Sequence, residues 1–175
     1  MVKATLVPGP LLTHARIEQA ANICRWHGTV RRHFSILEHM VIGAWVLRDQ
    51  GYDADAVRAF LLHDLEETEF VGDIATPHKA IYMNADYFRD VRVWEEELYR
   101  QTGVGRNAAV VEMMDEVMLR AEYATVSLKI DPDPRTDPVI RICRILIDAD
   151  EFGTPEQWWQ LWNDKAPALL LGGAV

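Results

Sequence analysis

The sequence predicts an all-α protein folded as a single domain, and three observations carry that expectation. Apolar residues recur at helical spacing through most of the 175 residues. Residues suited to capping and stopping helices bracket the apolar segments. No Asn-Gly or Asp-Gly pair joins two alternating runs, so the strongest hairpin signal is missing.

The elements follow in order. A first helix is expected from Thr13 to His27. Ser35-Ile36-Leu37-Glu38 has the form of a capping box, in which the serine oxygen accepts a backbone N–H and the glutamate reaches back. The helix it opens should end near Gly51, a residue suited to a left-handed stop. Asp53 caps a helix predicted to run through Leu65. Thr76-Pro77 breaks the chain. A further helix covers about Asp86 to Gln101 and stops at Gly103. Asn107 caps a long one reaching about Lys129. Asp131 to Pro138 reads DPDPRTDP, a short linker in which proline forbids helix. Pro138 to Asp150 is apolar and studded with arginine, helical by preference but ambiguous with strand. Thr154-Pro155 opens the last helix, since proline suits the first helical position. Trp158, Trp159 and Trp162 lie at helical spacing there, either closing the core or forming a subunit interface.

Composition narrows the class. With 49% hydrophobic and 26% charged residues the chain is ordinary for a globular protein. The longest uncharged apolar run, Ala166 to Val175, is too short to span a bilayer. No secretory signal is visible at the N-terminus, and Cys24 and Cys143 lack any CxxC spacing. They read as reduced thiols of a cytoplasmic protein. A net charge of −9 argues against extended nucleic-acid binding, although a local cluster of cations could still receive a small anion.

The chemistry is expected where ionisable residues fall on apolar helix faces. His39 shares its face with Ile36, Met40, Gly43 and Val46. His63 and Asp64 end the apolar helix containing Ala56, Val57, Ala59, Phe60, Leu61 and Leu62. Asp115 lies on a stripe with Val111, Met118 and Leu119, and Glu122 lies further along it. Residues three, four and seven apart share a helix face, so these polar groups point toward the core. A buried carboxylate without a partner is costly. Two histidines and two aspartates aimed inward are therefore read as ligands of one cation. Mixed imidazole and carboxylate donors suit cobalt, manganese, zinc or iron. His33 is the rival first ligand, but it precedes the helix cap, whereas His39 has the inward register.

Four segments, in this order, resemble the HD superfamily of metal-dependent phosphohydrolases: the Arg25-Trp26 pair, FSILEHM (Phe34 to Met40), LLHDLEETEFVGDIATPHK (Leu61 to Lys79) and MDEVMLRAEY (Met114 to Tyr123). The likeness spans about residues 20–130, leaving 138–175 as a helical extension of one domain covering residues 1–175. It is closest to the subgroup of 5′-deoxynucleotidases and small phage-type deoxynucleotide triphosphohydrolases, some directed at dATP. The resemblance implies a single-domain HD-type helical bundle, a metal held by His39, His63, Asp64 and Asp115, and water activated there for attack on phosphorus. It further implies Glu67 as general acid or base, and Asp73 aiding the water or an additional metal such as magnesium. Arg25, Trp26 and Lys79 would contact the nucleotide. Relatives often assemble, so a homo-oligomer is expected. Cyclic-dinucleotide phosphodiesterases fit less well, because Gly51-Tyr52 is followed by Asp53 rather than proline. Alarmone hydrolases also fit less well, since Thr68 stands where their HDxxED motif has its last acid. The competing class is a non-catalytic, metal-stabilised nucleotide-binding or interaction module.

Overall fold

The computed structural model describes residues 9–70, 72–74, 76–126, 138–149 and 154–170. Among these, eight α-helices form the protein: α1 (His14–Asn22), α2 (Ile36–Asp49), α3 (Ala54–Leu62), α4 (Thr76–Tyr82), α5 (Ala85–Thr102), α6 (Ala108–Thr125), α7 (Pro138–Asp148) and α8 (Pro155–Leu170). The β structure among the described residues is a single bridge between Cys24 and Ser35. The all-α expectation holds, including for α7, whose sequence left helix and strand open.

Helix α2 is the spine. Eleven of its residues are buried, from Ile36 to Leu47, and α1, α3, α6, α7 and α8 all pack on it. Its start is fixed as expected by Ser35, whose Oγ accepts from the Glu38 backbone N–H at 3.0 Å. The other half of the capping box is replaced: the Glu38 carboxylate pairs with Arg32, which also donates to the Ile147 carbonyl and so ties α2 to α7. Asp53 caps α3 by accepting from Ala56 N–H at 2.8 Å. Trp158 and Trp162 of α8 are buried, with Trp158 against Trp45 of α2. That fits their core-closing role. The Trp159 side chain and the Asp131–Asp137 part of the linker lie outside the described residues.

Several boundaries differ from expectation. The first helix stops at Asn22 rather than His27, because Cys24 is drawn into its bridge with Ser35. Arg25 N–H then donates to the Phe34 carbonyl, and Ile36 N–H to that of Ile23. A 3-10 turn follows at Trp26–Gly28, with Trp26 (φ 58°) and His27 (φ 52°) both left-handed. Helix α3 ends at Leu62, so His63 and Asp64 lie beyond it and lead into a 3-10 turn at Leu65–Thr68. Thr76-Pro77 opens α4 instead of breaking the chain, consistent with the tolerance of a first turn for proline. Asn107 precedes α6 but makes no side-chain cap, because it takes a left-handed backbone (φ 44°). Cys24 and Cys143 are not joined in a disulfide; Cys143 is buried and Cys24 partly so. Among the described residues no helix is long and apolar enough to cross a membrane.

Candidate metal centre

Three helices deliver the predicted ligands to one point. His39 projects from the first turns of α2 and is fully buried. His63 and Asp64 come from the turn after α3, and Asp115 from the middle of α6. His39 Nε2 lies 3.3 Å from His63 Nε2, 3.7 Å from Asp64 Oδ2 and 3.3 Å from Asp115 Oδ1. His63 Nε2 lies 3.4 Å from Asp64 Oδ1 and 3.9 Å from Asp115 Oδ1. His39, His63 and Asp64 offer ligand atoms all within 4.8 Å of one another, so this group could hold a metal ion.

The hydrogen bonds behind the rings decide what the Nε2 atoms can do. His63 Nδ1 is 2.8 Å from the Phe60 carbonyl, which can only accept, so Nδ1 carries the proton. His39 Nδ1 is 2.5 Å from Glu122 Oε1. Burial opposes the charge of Glu122, but Arg25 and His39 outweigh it and hold its carboxyl below the usual range. Glu122 is thus an acceptor and His39 Nδ1 also donates. In their neutral forms both imidazoles would aim Nε2 lone pairs at each other across 3.3 Å. Two acceptors in that position need a cation between them, either a proton or a metal ion. Donors bound at about 2.0–2.1 Å sit roughly 3.3 Å apart at the tetrahedral angle and about 3.0 Å apart at a right angle. The separations among His39, His63 and Asp64, 3.3–3.7 Å, are compatible with a shared ion; Asp115 lies near both histidines but outside the group whose atoms are all within 4.8 Å of one another.

The surrounding charge has the same sign. Burial opposes protonation of His63, yet Asp64 and Asp115 overcome it and push its pKa up to about 9. His39 is likewise raised: burial and Arg25 oppose, and Glu122 and Asp115 prevail. Asp64 and Asp115 are both held below the carboxylate range, burial notwithstanding, by the two histidines, with Arg25 adding to the effect on Asp64. A potential that attracts protons this strongly attracts a divalent cation too.

Arg25 is the hub of the support. It is 5% exposed; Nε donates to Glu122 Oε2 at 3.0 Å and Nη1 to Asp64 Oδ2 at 2.9 Å, with Asp73 Oδ1 3.7 Å away. It therefore clamps one ligand and one ligand-orienting acid together. Trp26 Nε1 donates to the same Glu122 oxygen, and its backbone N–H donates to Asp73 Oδ2 at 2.7 Å. The left-handed backbone at Trp26 and His27 is thus held by site carboxylates, the kind of strained conformation that a surrounding network must maintain. Lys79 Nζ donates to Glu67 Oε1 at 2.5 Å. Glu67 is buried; desolvation first, then Asp64, raise its pKa to about 8 against the pull of Lys79.

All nine predicted site residues thus fall in one connected cluster. Glu122, further along the Asp115 stripe, accepts from His39, Arg25 and Trp26, and Arg32 pairs with Glu38. Two features were not anticipated. Glu66, for which no role was expected, is only 7% exposed, and its pKa is driven well above the carboxylate range by burial, Asp64 and Glu67. Phe60 packs against both imidazoles, with centroids 5.5 Å from His39 and 4.3 Å from His63. A buried aromatic three residues before a histidine is the only hint the sequence offered.

Comparison with known protein families gave no match, and no curated protein matches the chain.

Proposed function

We propose that this protein is a metal-dependent phosphohydrolase that cleaves the 5′-phosphoester of deoxynucleotides, as a monophosphate nucleotidase or a triphosphohydrolase. The carrying observation is the convergence of His39, His63, Asp64 and Asp115 with Glu67 beside them. The HD-type sequence likeness supplies the reaction class. Histidine and carboxylate donors suit zinc, cobalt, manganese or iron. A divalent ion held there supplies Lewis acidity, acidifying water and polarising a phosphoryl oxygen.

The protein's own groups do the rest. Glu122 and the Phe60 carbonyl fix both histidine tautomers, so Nε2 remains a donor of electrons. Arg25 holds Asp64 by Oδ2 and leaves Oδ1 toward His63. Glu67, raised to about 8, exchanges a proton near neutral pH, which suits a general acid or base. Lys79 keeps its carboxyl in place and is a cation that can meet phosphate. Trp26, half-buried beside Tyr123, provides a flat apolar surface for a base.

A panel of deoxynucleoside mono- and triphosphates, assayed with each candidate metal, tests the reading. Phosphate or polyphosphate should be released, Asp64→Ala should abolish release with the fold retained, and Glu67→Gln should slow turnover while metal content holds. Full turnover by Asp64→Ala, free of contaminating phosphatase, would overturn it.

A further inference from the structure

A half-exposed arginine stands at the edge of the cluster. Arg106 lies in the short connection from α5 to α6, and that connection is pinned: Val104 is buried, and its N–H donates to the Tyr99 carbonyl at 3.3 Å. Arg106 Nη2 donates to Glu95 Oε2 at 2.6 Å, and its guanidinium lies over the Tyr99 ring, 5.9 Å from the centroid. The Tyr99 hydroxyl in turn donates to the Ala59 carbonyl at 3.4 Å, in the last turn of α3. That turn delivers His63. Arg106, Glu95 and Tyr99 are thus brought to the same end of α3 as the proposed ligands. Electrostatics agree: burial raises the Glu95 carboxyl, Arg106 draws it back, and Asp64 and His63 both act on it.

The other cations here are committed. Arg25 is buried between Asp64 and Glu122, and Lys79 is held by Glu67. The Arg106 side chain is 48% exposed. A guanidinium presents several N–H donors in a planar fork suited to phosphate, and the bond to Glu95 is the one that Arg106 makes among the described residues. Stacking on Tyr99 orients the fork without occupying its donors. Position then selects which phosphate it meets. Arg106 sits at the start of α6, whereas Asp115 stands about 10 Å along that helix from Ala108. This offset suits phosphates beyond the one undergoing attack at the ligands.

We infer that Arg106 is a specificity-determining residue that receives the outer phosphates of a nucleoside triphosphate, with Glu95 as the acid from which they draw it. A monophosphate has no group to place there, so the preferred substrate of the site is the triphosphate. The inference rests on the phosphohydrolase reading and deepens it.

Glu95→Gln and Arg106→Gln break the same ion pair, so a merely structural role makes the two variants alike. Phosphate recognition makes them opposite. The kcat/KM ratio of deoxynucleoside triphosphate to monophosphate should fall about tenfold or more in Arg106→Gln. It should rise in Glu95→Gln, by up to about fivefold. Arg106→Lys, which keeps the charge but not the fork, should recover part of the loss. Calorimetric titration of the full chain with inorganic tripolyphosphate reads the same contact without turnover. Binding should weaken in the order Glu95→Gln, wild type, Arg106→Gln, and circular dichroism checks that each variant is folded. A wild type that cleaves monophosphates alone overturns the inference, as does the same change of ratio in both glutamine variants or tripolyphosphate binding indifferent to Arg106. The phosphohydrolase reading would survive those results. Wild type that releases nothing from either nucleotide, yet binds tripolyphosphate through Arg106, would instead sink that reading and keep the anion contact.

Discussion

Gly43 offers a test in which two effects predict opposite signs. It sits mid-way along α2, where glycine ordinarily costs about 1 kcal/mol relative to alanine. Gly43→Ala should therefore stabilise the protein if only helix propensity mattered. The structure says otherwise. A Cβ at this position would lie 2.1 Å from Phe60 Cε1 and 2.6 Å from Cζ. Carbon contacts settle near 3.5–4.0 Å, so the ring must retreat by about 1.5 Å. Phe60 is completely buried and the His63 ring stands 4.3 Å from it, so retreat disturbs a proposed metal ligand. Overpacking of this kind costs about 3 kcal/mol at the upper end of the usual range. Less the propensity gain, the net loss is about 2 kcal/mol, or roughly 4–8 °C in Tm for a domain of this size. The assay is thermal and urea unfolding alongside metal titration; metal affinity should fall with stability. Gly43→Ala combined with Phe60→Leu should recover part of both. A single variant that is more stable by about 1 kcal/mol, with unchanged metal affinity, would refute the wedge.

The remaining predictions concern the cluster. Glu122→Gln should weaken metal binding about 10–100-fold, because glutamine has one accepting oxygen where His39 on one side and Arg25 and Trp26 on the other occupy two; dialysis against a competing chelator measures this. Metal affinity should rise with pH, at least about tenfold per pH step from 6 toward 9, and then level off. The His63 pKa is raised to about 9, so below that value a proton must leave before a metal can bind. Calorimetry in buffers of different ionisation enthalpy should detect the released proton, and an affinity flat across that window would contradict the assignment. Arg25→Ala should cost about 3–5 kcal/mol, since it strands Glu122 and Asp64 in buried surroundings. Denaturant unfolding reads that loss.

How much of this was legible in the sequence depended on how local each cause was. His39 and Asp115 were readable because both sit inside regular helices, where a period of 3.6 fixes the inward face. His63 and Asp64 converge as anticipated even though α3 stops at Leu62, because the turn after it keeps them on the same side. The helix from Thr13 could not be bounded, since its end is set by a bridge to Ser35, a partner distant in sequence. Arg25 was expected to contact the nucleotide; its clamp on Asp64 and Glu122 arises only once α6 packs on α2 and α3. Glu66 was the least legible. Nothing local distinguishes a solvated acid from one buried in a 3-10 turn that α1 and α5 cover.

The buried acids can be sorted by the partners the fold gives them. Glu38 has Arg32, far from any chemistry, and serves the junction of α2 with α7. Glu122 has Arg25, His39 and Trp26, so both of its oxygens are taken. Glu67 has Lys79 on one oxygen and nothing on the other. Glu66 keeps a buried oxygen with no partner at all. A fold that neutralises Glu38 and Glu122 so fully has the means to neutralise a structural acid. Among the described buried acids, the unpartnered oxygens lie on one flank, the one adjoining Asp64. That asymmetry sets the incomplete part of the network beside the proposed metal centre.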